Sequence, residues 1–194
     1  MEKFHQLPAP TGGVPFHLDL AEVLDDAAIQ AITNAKKLVF HIAGDMGGIA
    51  DAIPQRLVTD HMERDFTHDP AHPEDDPAFF YGLGDCVYFH GETSEYFAQF
   101  YLPYEHYLAP IFAIPGNHDG DNIAIEASLG AFIRNFCAPE PVITPEAGNT
   151  HRHVMTQPNV YWTLITPLAT IVGLYSNVPE QGRITQPQRD WLAG

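Results

Sequence analysis

Three apolar runs that each break off at a glycine followed by a polar residue constrain this chain more than any other feature of it. Leu38-Val39-Phe40-His41-Ile42-Ala43 stops at Gly44-Asp45, Phe79-Phe80-Tyr81-Gly82-Leu83 at Gly84-Asp85, and Ile111-Phe112-Ala113-Ile114 at Pro115-Gly116-Asn117-His118-Asp119. Short continuous apolar runs bounded by turn residues read as buried strands, and in a parallel sheet both faces of such strands are covered. Helical patterns over 49–66, 93–107 and 123–136 alternate with these strands. A further helix over 25–37, acidic at its start and basic at its end as the helix dipole favours, precedes them. The order is β-α-β, which predicts an α/β fold with its functional groups at the carboxyl ends of parallel strands.

The remainder of the chain is consistent with that class. Residues 160–165 and 169–175 flank Thr166-Pro167-Leu168 and predict two antiparallel strands around a short turn. The proline- and acid-rich stretch 67–77 predicts an exposed loop in which His68 and His72 are incidental. Thr185 is a plausible cap for a last helix. With 194 residues, 45% of them hydrophobic, the chain can bury one sizeable core.

Charge and composition narrow the partners. Twenty-five acidic residues against nine basic ones, a net charge of -16, leave a surface that repels a nucleic-acid duplex. No run approaches the ~20 apolar residues of a membrane span. The start has no apolar segment behind its charges, so a cytoplasmic location is expected. Cys86 and Cys137 stand far apart and suggest neither a disulfide framework nor a zinc ribbon. The 11 histidines beside many carboxylates fit either a metal-ligand set or an ordinary solvated face.

Asp45, Asp85 and Asn117 each follow a strand closely, and neighbouring strands are only ~4.8 Å apart, so their side chains are expected to converge. Two carboxylates at that range disfavour each other's ionised form, and a bound cation removes the conflict. His118, next to Asn117, is placed to give a proton to a leaving group. His90 reads either as a donor behind the ligands or as a loop histidine, and His151-Arg152-His153 as a substrate-side or surface loop.

These motifs resemble the calcineurin-like metallophosphoesterases, and within them the purple acid phosphatases. Most of the superfamily carries Asp-x-His in the first motif, whereas purple acid phosphatases carry Asp-x-Gly there and a tyrosine in a Gly-Asp-x-x-Tyr second motif. Both changes are present here, as Gly44-Asp45-Met46-Gly47 and Gly84-Asp85-Cys86-Val87-Tyr88, followed by Gly116-Asn117-His118-Asp119. The resemblance implies a β-sandwich flanked by helices (αββα), with an N-terminal extension carrying a short helix over 1–36 and the catalytic domain over 37–194. It makes Asp45 and Tyr88 ligands of one metal, Asp85 the bridge between two, Asn117 a ligand of the second, and His118 the catalytic histidine. The metals it implies are iron(III) and a divalent iron, zinc or manganese. Its substrate is a phosphate ester, attacked in line by an activated water.

The family's Val-x-x-His and Gly-His-x-His motifs do not occur in these 194 residues. A C-terminally truncated member is therefore expected, weak or inactive as it stands, with an exposed apolar edge on its second sheet. The reading from another class is a metal- or phosphate-binding remnant that serves as an interaction module.

Overall fold

The computed structural model describes residues 7–48, 51–121, 128–176 and 182–194. Its elements run β1 (His17–Asp19), α1 (Asp26–Ala35), β2 (His41–Ala43), α2 (Ile53–Arg64), β3 (Phe80–Gly82), β4 (Ile111–Ala113), α3 (Gly130–Phe136), β5 (Trp162–Ile165), β6 (Thr170–Gly173) and α4 (Gln186–Ala193). The strands form two small sheets, β2-β3-β4 and β1-β5-β6, in a mixed α/β fold. No described helix is long and apolar enough to cross a membrane.

The first sheet is parallel throughout and sets the position of everything functional. Ala43 pairs with Gly82, and Gly82 with Ala113, so the carboxyl ends of β2, β3 and β4 lie level. The three glycine-containing turns therefore leave the sheet side by side. Phe80, Tyr81, Ile111, Phe112 and Ala113 are buried, as expected of central parallel strands. β2 departs from the expectation of a buried strand: among the described residues it pairs with β3 alone, and Ile42 is 57% exposed at this edge.

The second sheet packs on the first through Trp162 of β5. Its ring stacks on Tyr81 at 5.9 Å and meets Phe112 at 5.5 Å, while its indole N–H donates to the Ala113 carbonyl at 3.2 Å. Gln157 covers the outer edge of β4, accepting the Ala113 N–H and donating to the Ala113 carbonyl, both at 2.8 Å. β5 and β6 form the antiparallel pair the sequence predicts. On β6 and the turn before it, Val172 and Leu168 are exposed.

Three local structures were not legible beforehand. β1 lies parallel to β5 within the segment expected to be an extension, and Phe16, Leu18 and Leu20 enter the core with it. The helix expected over 93–107 is a 3-10 turn at Thr93–Glu95 followed by a π-helical turn at Phe97–Tyr101. The widened turn buries Gln99, Phe100 and Tyr101 in succession, three neighbours that a regular α-helical pitch spreads around the axis. Of the helix expected over 123–136, residues 123–127 lie outside the described residues, 128–129 form a turn with Leu129 left-handed at φ 61°, and the helix runs from Gly130 to Phe136; positions 49–50 before α2 also lie outside the described residues.

At the C-terminal end, Thr185 occupies the cap position of α4, but its hydroxyl makes no capping bond. Gln188 anchors this helix instead: its amide accepts from Tyr175 N–H and donates to the Tyr175 carbonyl, both at 2.8 Å.

Candidate metal centre

Both aspartates stand in left-handed backbone conformations immediately beyond their strands, Asp45 at φ 53° and Asp85 at φ 52°. Non-glycine residues seldom adopt this region, and such strain gathers at functional sites. The two loops are laced by backbone bonds, Asp45 N–H to the Gly84 carbonyl at 3.1 Å and Gly47 N–H to the Asp85 carbonyl at 3.0 Å. This lacing turns both carboxylates toward one point.

Tyr88 closes that point. Its hydroxyl donates to Asp45 Oδ1 at 2.8 Å and reaches Asp85 Oδ2 at 3.3 Å. Burial, the hydrogen bond to Asp45 and the charge of Asp85 push the phenol well above its ordinary range. A neutral phenol between two carboxylates is the arrangement a proton alone can hold together. A multivalent cation at the same oxygens supplies more charge and favours the phenolate, so the donor chemistry suits a hard metal ion. Among the described residues, no group of three or more His, Cys, Asp or Glu side chains lies close enough to hold a metal. The set assembled here has two carboxylates and a phenol.

The third turn is joined to Asp85. His118 N–H donates to Asp85 Oδ1 at 3.0 Å, so Asp85 contacts both Tyr88 and the Asn117-His118 turn. Asn117 sits in that turn between Gly116 and His118. The His118 ring lies 4.6 Å from the Tyr88 ring, and its Nδ1 is 2.6 Å from the Phe89 carbonyl. A carbonyl only accepts, so Nδ1 carries the proton and Nε2 is the ring nitrogen left for a substrate.

Two features hold the turns at this separation. Gly84, at φ +107°, faces the next loop so closely that a Cβ would stand 2.6 Å from Gly116 Cα. Gly84→Ala is therefore expected to destabilise the fold by ~2 kcal/mol or more, read as a lower denaturant midpoint at unchanged slope. An unchanged midpoint would mean that the loops stand apart. The second feature is Asp119, 2% exposed, whose carboxylate accepts from Gly116, Cys86 and Val87 N–H at 2.8, 3.0 and 3.2 Å. Burial pushes its carboxyl up to about 7 against the pull of those donors. The sequence displays Asp119 inside its motif without revealing this role; a carboxylate just after a tight turn is the signal that could have found it.

Three further histidines have carboxylate partners of their own. His90 pairs with Asp121 at 3.0 Å, His68 with Asp76 at 3.5 Å and His72 with Glu74 at 3.4 Å. Of the two readings of His151-Arg152-His153, the surface loop holds. Arg152 donates to the Tyr104, Tyr107 and Ala109 carbonyls on the approach to β4, at the end of the sheet opposite the motifs. The Cys86 thiol is fully buried and pushed up by that burial and by Asp119, so it is no nucleophile.

The sequence profile of calcineurin-like phosphoesterases matches residues 38–181, well over half of the chain and all three turns. The chain belongs to the calcineurin-like phosphoesterase family. Calcineurin-like phosphoesterases are metal-dependent phosphoester hydrolases that generally bind two metal ions. No curated protein and no solved structure matches the chain.

Proposed function

We propose that the chain is a phosphoester hydrolase of the purple acid phosphatase type, in which Asp45 and Tyr88 hold iron(III), Asn117 holds a divalent iron, zinc or manganese, and Asp85 bridges the two. The observation that carries this reading is the Tyr88 hydroxyl set between the Asp45 and Asp85 carboxylates, from a Gly-Asp-x-x-Tyr motif paired with Asp-x-Gly. When bound, the metals supply Lewis-acid activation of the phosphoryl group and of the attacking water.

The chain's own residues supply the rest. Asp85, fixed by the His118 N–H, keeps the bridging carboxylate in register with the third turn. His118, its Nδ1–H spent on the Phe89 carbonyl, acts as a general acid in its imidazolium form, in which Nε2 also carries a proton and gives it to the departing oxygen, leaving the neutral Nδ1–H ring. The Tyr88 ring packs against the imidazole at 4.6 Å.

The test is turnover of p-nitrophenyl phosphate and bis(p-nitrophenyl) phosphate by the metal-loaded chain. Hydrolysis of at least one probe, lost on chelation and restored by iron with a divalent metal, is expected. Because the Val-x-x-His and Gly-His-x-His motifs do not occur in these residues, turnover is expected to be weak, and failure to retain metal together with failure to turn over either probe overturns the reading.

A further inference from the structure

We infer that Gln99, itself tied down by Gln55, is the positioning residue that sets Tyr88 for metal ligation; this rests on the reading of Tyr88 as a ligand. Tyr88 lies in a loop beyond β3, where no strand among the described residues pairs with its backbone. Gln99 takes the place of a strand: its Oε1 accepts the Tyr88 N–H at 2.9 Å and its Nε2 donates to the Tyr88 carbonyl at 2.7 Å. One side chain thereby uses both main-chain groups of the proposed ligand and fixes the direction in which its ring leaves the backbone. Gln99 is 8% exposed and stands on the π-helical turn, whose Phe100 and Tyr101 are buried beside it.

The chain of bonds continues and then closes on itself. The Gln99 carbonyl accepts from Gln55 Nε2 at 2.6 Å, and the same nitrogen donates to the Met46 carbonyl at 2.5 Å. Met46 follows Asp45, whose Oδ1 receives the Tyr88 hydroxyl at 2.8 Å. The result is a ring through the Asp45 loop, α2, the π-helical turn and the Tyr88 loop, with the two proposed ligands meeting at its end. Gly47 shows how closely the parts fit: a Cβ there would lie 2.7 Å from Gln99 Oε1 and 2.8 Å from Tyr88 Cδ2. Uncharged amides suit this place, because they satisfy buried backbone groups without adding charge beside the metal ligands.

Gln188 provides a built-in comparison. It grips the backbone of Tyr175 with the same two-bond geometry, but from α4, and Tyr175 is not among the proposed ligands. A purely structural role for Gln99 predicts that Gln99→Met and Gln188→Met behave alike. A positioning role predicts that only Gln99→Met disturbs Tyr88.

The experiment uses the full chain with two readouts. In metal-free protein, the ring-to-ring nuclear Overhauser effect between Tyr88 and His118 is expected in the parent and in Gln188→Met, and lost in Gln99→Met. In iron(III)-loaded protein, the tyrosinate band is expected to shift or disappear in Gln99→Met at unchanged iron content. A Gln99→Met protein with the parent's Overhauser effect and the parent's band overturns the inference. If Gln99→Met does not fold, Gln55→Met is read instead; a weakened effect supports the ring of bonds and an unchanged one overturns it. A colourless iron-loaded parent removes the ligand reading alone, and the metal-free readout still decides whether Gln99 orders Tyr88.

Discussion

Asp85→Asn is expected to strip metal from the centre and to lower hydrolysis by more than ~10³-fold, the largest effect of any single substitution in the site. Asp85 has both carboxylate oxygens engaged, Oδ1 with the His118 N–H and Oδ2 with the Tyr88 hydroxyl. Asparagine keeps the shape but replaces one acceptor with an N–H₂ donor. With that donor toward the His118 N–H two donors meet, and with it toward Tyr88 the phenol oxygen must accept where it now donates. The negative charge that Asp85 would bring to two cations on the proposed assignment is lost as well. Metal content after gel filtration and kcat/KM on p-nitrophenyl phosphate measure the outcome, with the melting temperature as a control for folding. Two metals retained per chain would show that Asp85 bridges nothing.

The contrast with Asp45 sharpens this expectation. Asp45 is exposed and contacts Tyr88, whereas Asp85 is partly buried and joins the Tyr88 loop to the Asn117-His118 turn. On the proposed assignment, loss of Asp45 removes a donor from one metal, whereas loss of Asp85 removes a donor from both and also breaks the bond to the third turn. The ranking of the two variants therefore tests the assignment of roles and not merely the presence of a metal.

The sequence made the first sheet readable because a parallel sheet covered on both faces needs uninterrupted apolar strands, and glycine with a polar residue marks where each ends. The level register of Ala43, Gly82 and Ala113 then carries Asp45, Asp85 and the Asn117 turn to one end without further information. Tyr88 was legible only through the paired substitution in two motifs. β1 was not legible, since His17-Leu18-Asp19 is too short to show a period and is a strand only because β5 offers it a partner far along the chain. Gln55, Gln99 and Asp119 were hidden for a different reason. Such residues are mostly exposed, so composition and spacing give no sign that they are buried; their function comes from backbone groups brought to them by tertiary folding. The π-helical turn belongs with them, because the aromatic residues of 96–107 satisfy a helical pattern as well as they satisfy the wider turn.

The iron(III)-loaded chain is expected to be pink to purple, and Tyr88→Phe to abolish the colour. A phenolate bound to iron(III) has a ligand-to-metal charge-transfer band in the visible, and Tyr88 is the residue in the three motifs that can supply a phenolate. Phenylalanine retains the ring that lies 4.6 Å from His118, so the imidazole keeps its packing. What it removes is the hydroxyl between Asp45 and Asp85. Those carboxylates then face each other without the shared proton, and their demand for a cation rises even as one donor is lost. Metal is thus expected to remain in part while the band vanishes, separating colour from metal content in a way that general unfolding would not. The visible spectrum and the iron content, measured on the same sample, decide it. A band that survives in Tyr88→Phe would assign the colour to another residue and leave Tyr88 as a hydrogen-bonded aromatic in the wall of the site.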